Sequence, residues 1–473
     1  MASKDIKHVV LLLLENHSFD QMLGCLEGVD GVSATNVNYD ADGTPYFQAV
    51  TTERQTRYDP KHELRFVAEQ LSGNNGGFVK NFSTQYPDST KEERQEIMGY
   101  YPKGFLPALH TLASEYTVCD RWFSSLPGPT WPNRFFALSG TSNGRARMPE
   151  GPSDPDLEGF FAQDQVTVFD RLSEAKRSWK VYFYDFPSSL LLTHQRRPEN
   201  LQNYKLINSF YEDVRSESNV AEFIFIEPKY FGQDQNDDHP PHNIIKAEKL
   251  IADVYNALRT SPAWSSTVLV IYFDEHGGFY DHVVPPAAVP PDDQDKEYGF
   301  RQLGIRVPAL IVSPWATKQV LHTQFDHTSV LKFLTDLWRL DRLGDRTSSA
   351  NSIEEALNAP VLRLNTTPFI RVPYTDLIPE HPEMEKRDTS EHHSALRAFA
   401  HYLEKQAIDS LPGALSLVAR GAGRWTLFKA NVGEKLVAAG NILMHDLENF
   451  DKSKTEAVLS QVFKLLGHLP GPH

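Results

Sequence analysis

Cysteine is scarce: Cys25 and Cys119 are the only two in a chain of 473 residues. One bridge is the most two thiols allow, so no disulfide framework holds this protein, and buried free thiols are the expectation. Long hydrophobic runs are missing too, because nothing approaches the roughly 20 apolar residues of a membrane-spanning helix. The apolar stretch at 9–14 is shorter than an export signal's core of about 7–15 residues, and no small-residue cleavage site follows it. The chain as written therefore predicts a soluble protein with no transmembrane segment and no visible signal peptide. It would be cytoplasmic or exported by a signal-less route, or secreted if a signal has been removed. Positive charge is in deficit. Lys and Arg number 47 against 62 Asp and Glu, a formal net charge of −15, which argues against nucleic acid as the main partner. What is present is a globular composition, 40% apolar and 11% aromatic, with length enough for a large α/β core and an appendage.

The first 340 residues alternate strand-like and helix-like segments without an internal repeat. Strands are predicted at 8–14, 180–184, 223–226, 267–273 and 307–312. They are rich in Val, Ile, Phe and Tyr and alternate poorly, as strands do when helices cover both faces of a parallel sheet. Helices are predicted at 104–116, 132–140, 167–175, 243–259 and 328–339, the last capped by Asp326, Thr328 or Ser329. The expectation is a three-layer α/β/α sandwich around a mostly parallel sheet. From about 340 to 390 the chain is rich in Pro, Thr and Ser and reads as connection. Amphipathic helices follow at 391–408 and 432–467. The predicted division is a catalytic domain at 1–374 and a small, mainly helical appendage at 375–473.

Two predicted strands end on polar couplets. "VVLLLLENHSFDQMLG" runs from Val9 into Glu15 and Asn16, and "TVLVIYFDEHGGFYDH" runs from Thr267 into Asp274 and Glu275. Ligands of open α/β sheets collect beyond the carboxyl ends of the strands. Three carboxylates in one cleft call for a compensating cation, and oxygen donors of this kind suit a hard divalent metal. Gly277 and Gly278 then permit the sharp turn after Glu275. A third stretch, "SSLPGPTWPNRFFALSGT", places Thr130 at a helix N-terminus, where backbone N–H groups and the dipole favour phosphate. A hydroxyl there, beside a metal, can attack phosphorus. Either couplet alone reads equally as a capped strand end, and Thr130 alone as an ordinary cap. Their coincidence favours one metal-centred site. Arg134 and Asn133 share a turn with Thr130 and could reach a phosphoryl oxygen or lie on the helix surface.

The histidines in "YDPKHE" (His62), "NDDHPPHN" (His239, His242) and "FDHTS" (His327) supply proton donors suited to neutral pH. His62, His239 and His327 are expected to face phosphate, with His242 next; which one is the acid stays open. His276 is left to orient the metal pair or to pack. Tyr58, Trp131, Phe279 and Tyr280 are candidates for holding a quaternary ammonium by cation–π attraction.

In order along the chain, "ENHSFDQMLG", "CDRWFSSLPGPTWPNR", "NDDHPPH", "DEHGGFYDHVVPP", "GIRVPALIVSPW" and "FDHTSVLKFL" resemble the motifs of the phosphoesterase family. That family contains phosphatidylcholine-preferring and plant non-specific phospholipases C and a bacterial acid phosphatase. The resemblance spans about residues 7–340 and implies an alkaline-phosphatase-like core. It implies Glu15, Asn16, Thr130, Asp274 and Glu275 as the metal site, with Thr130 as nucleophile. His62, His239 and His327 match the family's active-site histidines. The implied cofactor is one divalent ion, Ca²⁺ first, with Mg²⁺, Mn²⁺ and Zn²⁺ as alternatives. The implied activity is a phospholipase C, a phosphoric diester hydrolase acting on phospholipid at a membrane surface, with an acid phosphatase as runner-up. A lipid-binding protein without catalysis would show erosion of the metal positions, and all five are chemically competent. His17 stands where many relatives have Arg. Thr130-x-Pro-x-Arg134 also resembles the sulfatase signature, but a threonine cannot be converted to the aldehyde that sulfatases need.

Overall fold

In the computed structural model, residues 6–230, 234–364, 369–379 and 381 are described, with single positions at 394, 395, 398, 399 and 402. An eight-stranded sheet forms the centre. Its strands are β1 (His8–Leu14), β2 (Thr117–Cys119), β3 (Trp179–Phe183), β4 (Tyr204–Leu206), β5 (Phe223–Ile226), β6 (Thr267–Phe273), β7 (Ala309–Val312) and β8 (Gln319–Leu321). Their spatial order is β8-β2-β7-β6-β1-β5-β3-β4. Only β7 runs antiparallel to its neighbours; the other ladders are parallel. The α/β class and mostly parallel sheet expected from the sequence are therefore what the chain adopts.

The apolar runs follow from position. β1 and β6 lie in the middle, and all seven residues of each are buried. A strand covered on both faces has no solvent side on which to alternate. The edge strands β4 and β8, and β2 beside β8, have three residues each, too short to stand out in the sequence.

Helices α1 (Phe19–Leu23), α2 (Thr130–Ser139), α3 (Ile244–Arg259) and α4 (Thr328–Trp338) flank the sheet. Gly140, at φ 76°, ends α2 in the left-handed conformation that glycine adopts without strain. Asn243 caps α3 through its side chain. For α4 the cap atom is Asp326 Oδ1, which accepts from the Thr328 N–H at 3.1 Å. The helix expected over 104–116 is shorter, Leu109–Glu115. Gly104 turns at φ 88°, and the buried Glu248 carboxylate takes the N–H groups of Ala108 and Leu109. Cys25 and Cys119 are free thiols; Cys119 is buried, as expected, and Cys25 only partly.

A second, smaller core joins Tyr46, Val67, Phe78 and Phe82 to Phe279 and Tyr280, which follow the Asp274–Glu275 couplet. Its outer hairpin pairs Val37–Tyr39 with Pro45–Phe47. The hairpin's polarity is inverted: Asn38 and Tyr46 face inward, while Tyr39 and Phe47 are about half exposed, at 51% and 50%. Beyond residue 375, the described residues Ala395, Ala398 and Phe399 belong to the main core, with Phe399 4.9 Å from Phe161 between ring centroids. The helix expected at 432–467 lies outside the described residues, as does most of the one at 391–408.

Candidate active site

The two couplets meet because their strands are neighbours in register. Leu14 pairs with Phe273 across β1 and β6, so Glu15 and Asp274 leave the sheet side by side. The Asp274 N–H donates to the Leu14 carbonyl at 3.0 Å. Asn16 takes φ 61°, and Gly277 turns back over it at φ 62°. A Cβ on Gly277 would lie 2.1 Å from the Asn16 carbonyl oxygen, so only glycine lets the couplets approach this closely.

Helix α2 contributes Thr130 in its first turn and Arg134 one turn later, spacing that puts both on one face. Arg134 is completely buried among acids. Its Nε donates to Asp274 Oδ2 at 2.9 Å, and its Nη2 lies 2.9 Å from Glu15 Oε1. Its Nη1 donates to the Tyr230 hydroxyl at 2.7 Å and lies 3.5 Å from Glu227 Oε2. The guanidinium thus ties the helix that carries Thr130 to three strand ends. Burial pushes the carboxyls of Glu15 and Asp274 upward, and Arg134 pulls both down. Asn133, by contrast, faces its own loop: its Nδ2 donates to the Gly128 carbonyl at 2.9 Å, and its Oδ1 accepts from the Leu126 N–H at 3.1 Å.

The histidines divide. His62 donates from Nδ1 to the Pro60 carbonyl at 2.8 Å, and its Nε2 accepts from Asn16 Nδ2 at 3.4 Å and lies 3.8 Å from Glu275 Oε1. His239 donates from Nδ1 to the Pro240 carbonyl at 2.6 Å, and its ring meets that of His62 edge-on at 5.8 Å. His242 Nδ1 lies 2.7 Å from Asp237 Oδ1. The Asp237 carbonyl accepts the Glu15 N–H at 2.8 Å, which stitches this turn to the first couplet.

His327 is placed differently from the phosphate-facing role expected of it. Its Nε2 donates to the Asp274 carbonyl at 2.7 Å, its Nδ1 accepts from the Trp122 indole at 3.3 Å, and its ring stacks on Tyr272. Burial holds this imidazole down to about 4. Both nitrogens are committed, so it is a neutral support for the Asp274 backbone. His276 contacts Glu275 Oε2 at 3.3 Å and Gln70 Oε1 at 2.8 Å, an orienting position. Among the aromatic candidates, Trp131 and Phe279 are fully buried and Tyr280 nearly so, whereas Tyr58 is half-buried. His17 stacks on Phe279 and is 2.9 Å from the Asp238 carbonyl.

A divalent cation fits what the donors leave unsatisfied. Asn16 Oδ1 and Glu275 Oε1 are buried oxygens with no hydrogen-bond partner, a costly arrangement without a positive charge nearby. Arg134 offsets part of the charge of Glu15, Asp274 and Glu227, and the acids still outnumber it. Asp20, Asp281 and His282 also converge, but the Arg306 guanidinium fills that cluster, 2.9 Å from both aspartates.

Sequence reasoning passed over Glu227, Asp237 and Asp59. Glu227 was within reach of the rule that found the couplets, since it directly follows the strand FIFI. Asp59 precedes His62 in "YDPKHE" and gave no separate signal.

Residues 6–341 match the Phosphoesterase family, a stretch that includes the whole sheet and every residue of this site. The chain belongs to the Phosphoesterase family. Non-specific phospholipase C3 of Arabidopsis thaliana is 31% identical over 430 residues, covering 82% of this chain and 78% of that protein. Phospholipase C B of Mycobacterium tuberculosis is 30% identical over 422 residues, covering 73% and 78%. A solved structure from the alkaline phosphatase superfamily of Vibrio parahaemolyticus is 9% identical with a TM-score of 0.34, covering 84% of this chain and 87% of that one. That overlap is too loose to carry an argument, and the fold of this phosphoesterase rests on its own sheet. The enzyme class expected from the motifs, a hydrolase of phosphate esters, is the family's.

Proposed function

We propose that this phosphoesterase is a phospholipase C. It cleaves the glycerol-side ester of a phospholipid, phosphatidylcholine first, to diacylglycerol and a phosphorylated head group. The observation that carries the reading is Arg134 spanning Glu15 and Asp274, because it holds the Thr130 helix against both couplets.

Glu15, Asn16, Asp274 and Glu275 would hold the divalent ion, with Thr130 completing the set and Ca²⁺ suiting its oxygen donors. Bound there, the ion supplies Lewis acidity and lowers the pKa of a neighbouring hydroxyl. Thr130 Oγ attacks phosphorus, giving a phosphodiester between the threonine and the head group. An imidazolium gives its proton to the departing diacylglycerol oxygen. His242 suits this role, since its Nδ1 has a carboxylate, Asp237, within hydrogen-bonding distance. Water then releases the phosphorylated head group and restores Thr130. His327 and Arg134 hold Asp274 in place from the backbone and side-chain sides.

The net charge of −15 favours an apolar contact with the lipid surface over a basic one. The outward Tyr39 and Phe47 supply an apolar face with one polar tip, chemistry suited to the interface. The deciding experiment is product identity. Incubation with phosphatidylcholine should release diacylglycerol and phosphocholine. Turnover of p-nitrophenyl phosphate with no diacylglycerol would replace this reading by a phosphomonoesterase.

A further inference from the structure

Asn133 is completely buried, and its whole amide is spent on the loop that delivers Thr130. Its Nδ2 donates to the carbonyls of Gly128 at 2.9 Å, Pro129 at 3.2 Å and Leu126 at 3.4 Å. Its Oδ1 accepts from the Leu126 N–H at 3.1 Å. Three carbonyls around one end and an N–H at the other settle which way the amide faces.

The loop needs such a partner. In "LPGPT", Pro127 and Pro129 have no N–H, and the Gly128 N–H turns back to the Leu126 carbonyl at 2.9 Å. Pro132 removes a further donor from the first turn of α2. Gly128 and Pro129 are buried, so their carbonyls must find donors within the protein. The helix supplies little, since the Asn133 N–H reaches the Pro129 carbonyl only at 3.5 Å.

The Pro129 carbonyl belongs to the peptide whose nitrogen is that of Thr130. In a trans peptide the C=O and N–H point opposite ways. Pinning this carbonyl therefore fixes the peptide plane, aims the Thr130 N–H out of the helix N-terminus and sets the origin of the Thr130 side chain. Arg134 holds the helix to the acids; Asn133, one residue earlier, holds the loop to the helix.

We propose that Asn133 is a positioning residue for Thr130: its amide fixes the peptide that precedes the threonine, and with it the approach of Thr130 Oγ to phosphorus. The inference rests on the reading of Thr130 as the attacking residue.

The test is a single turnover. The Ca²⁺-loaded full chain is mixed with phosphatidylcholine labelled in its head group, and label on Thr130 is followed in time. Asn133→Ala should slow attachment at least about tenfold, with the amplitude of labelling and the Ca²⁺ stoichiometry of the wild type. An unfolded fraction does the reverse, lowering amplitude and stoichiometry at an unchanged rate. Asn133→Asp adds a pH readout. An ionised carboxylate only accepts and repels the three carbonyls, whereas the protonated acid donates one O–H to them. Its attachment rate relative to wild type should therefore rise about tenfold or more from about pH 8 to about pH 5. A rate in Asn133→Ala within about twofold of wild type, or a pH-independent ratio in Asn133→Asp, overturns the proposal. A wild type that cleaves phosphatidylcholine with no label on Thr130 removes the nucleophile reading and this inference together. Labelling that neither variant slows removes the inference alone, so the two failures are separable.

Discussion

Arg134 donates from Nε to Asp274 Oδ2 at 2.9 Å, a contact between a helix residue and a strand end 140 positions apart. The same guanidinium reaches Glu15, so one buried cation sets the distance between two acidic positions. Removing one partner of a buried ion pair typically costs about 3–5 kcal/mol, because the charge left behind stays desolvated. Arg134→Met should destabilise the metal-free protein by about that amount in urea unfolding, and Arg134→Lys by less, since it keeps the charge but not the fork. A loss below about 1 kcal/mol, the range of a surface pair, would contradict the anchoring role.

Thr130→Ala should lower turnover of phosphatidylcholine by about 10³-fold or more while leaving the fold intact. Thr130→Ser keeps a hydroxyl and should retain measurable activity. Trapping labelled head group on the wild type but not on Thr130→Ala would identify the attacking atom. Unchanged turnover in the alanine variant leaves it no such role.

Metal dependence is checked by prolonged chelation, which should abolish turnover, followed by Ca²⁺, which should restore it. Asn16→Ala should weaken Ca²⁺ binding in calorimetry, since its Oδ1 is a buried acceptor otherwise without a partner. Full activity in metal-free protein would dismiss the site.

Tyr39→Ser with Phe47→Ser should reduce binding to phosphatidylcholine vesicles about tenfold or more, given that each buried aromatic contributes about 1.5–3 kcal/mol. Hydrolysis of a short-chain, monomeric substrate should hardly change. Equal loss on both substrates would point to a folding defect in the hairpin.

His282 gives the protein a pH signature away from the site. Burial would lower its imidazole, but the Asp20 hydrogen bond and charge, with Asp281, outweigh that and push it up to about 9. An unfolded histidine titrates near 6.5. Folding therefore raises its proton affinity, and the stabilisation is complete below about 6.5, shrinks above it and is gone past about 9. The difference in Tm between wild type and His282→Gln should be largest near pH 6 and close by pH 10. A difference independent of pH would show that the His282 charge contributes nothing.

Much of this was legible in the sequence because burial leaves a plain mark. Strands β1 and β6 appear as unbroken apolar runs, and the residues after them carry the polar couplets. The three-residue strands β2, β4 and β8 were not legible, since so short a stretch carries no periodicity. β7 was visible as a strand, but its antiparallel direction is a fact of topology that residue pattern does not encode. The histidines show the same limit. His62 and His327 look alike as residues near acids, yet His62 turns its Nε2 to the Asn16 side chain beside the couplets while His327 gives both nitrogens to Trp122 and the Asp274 backbone. Which neighbours take a ring's hydrogen bonds depends on distant chain, here Trp122 and the Asp274 carbonyl.

Gly277 adds a constraint of a different sort. With its α-carbon pressed against the Asn16 carbonyl, the gap between the two loops has no slack to absorb even a methyl group. The spacing of the donor atoms is thus fixed by a missing side chain. Substitution at this one position would dilate the whole cage though it alters none of the groups that line it, so a silent-looking glycine is as demanding a position as any acid in the cleft.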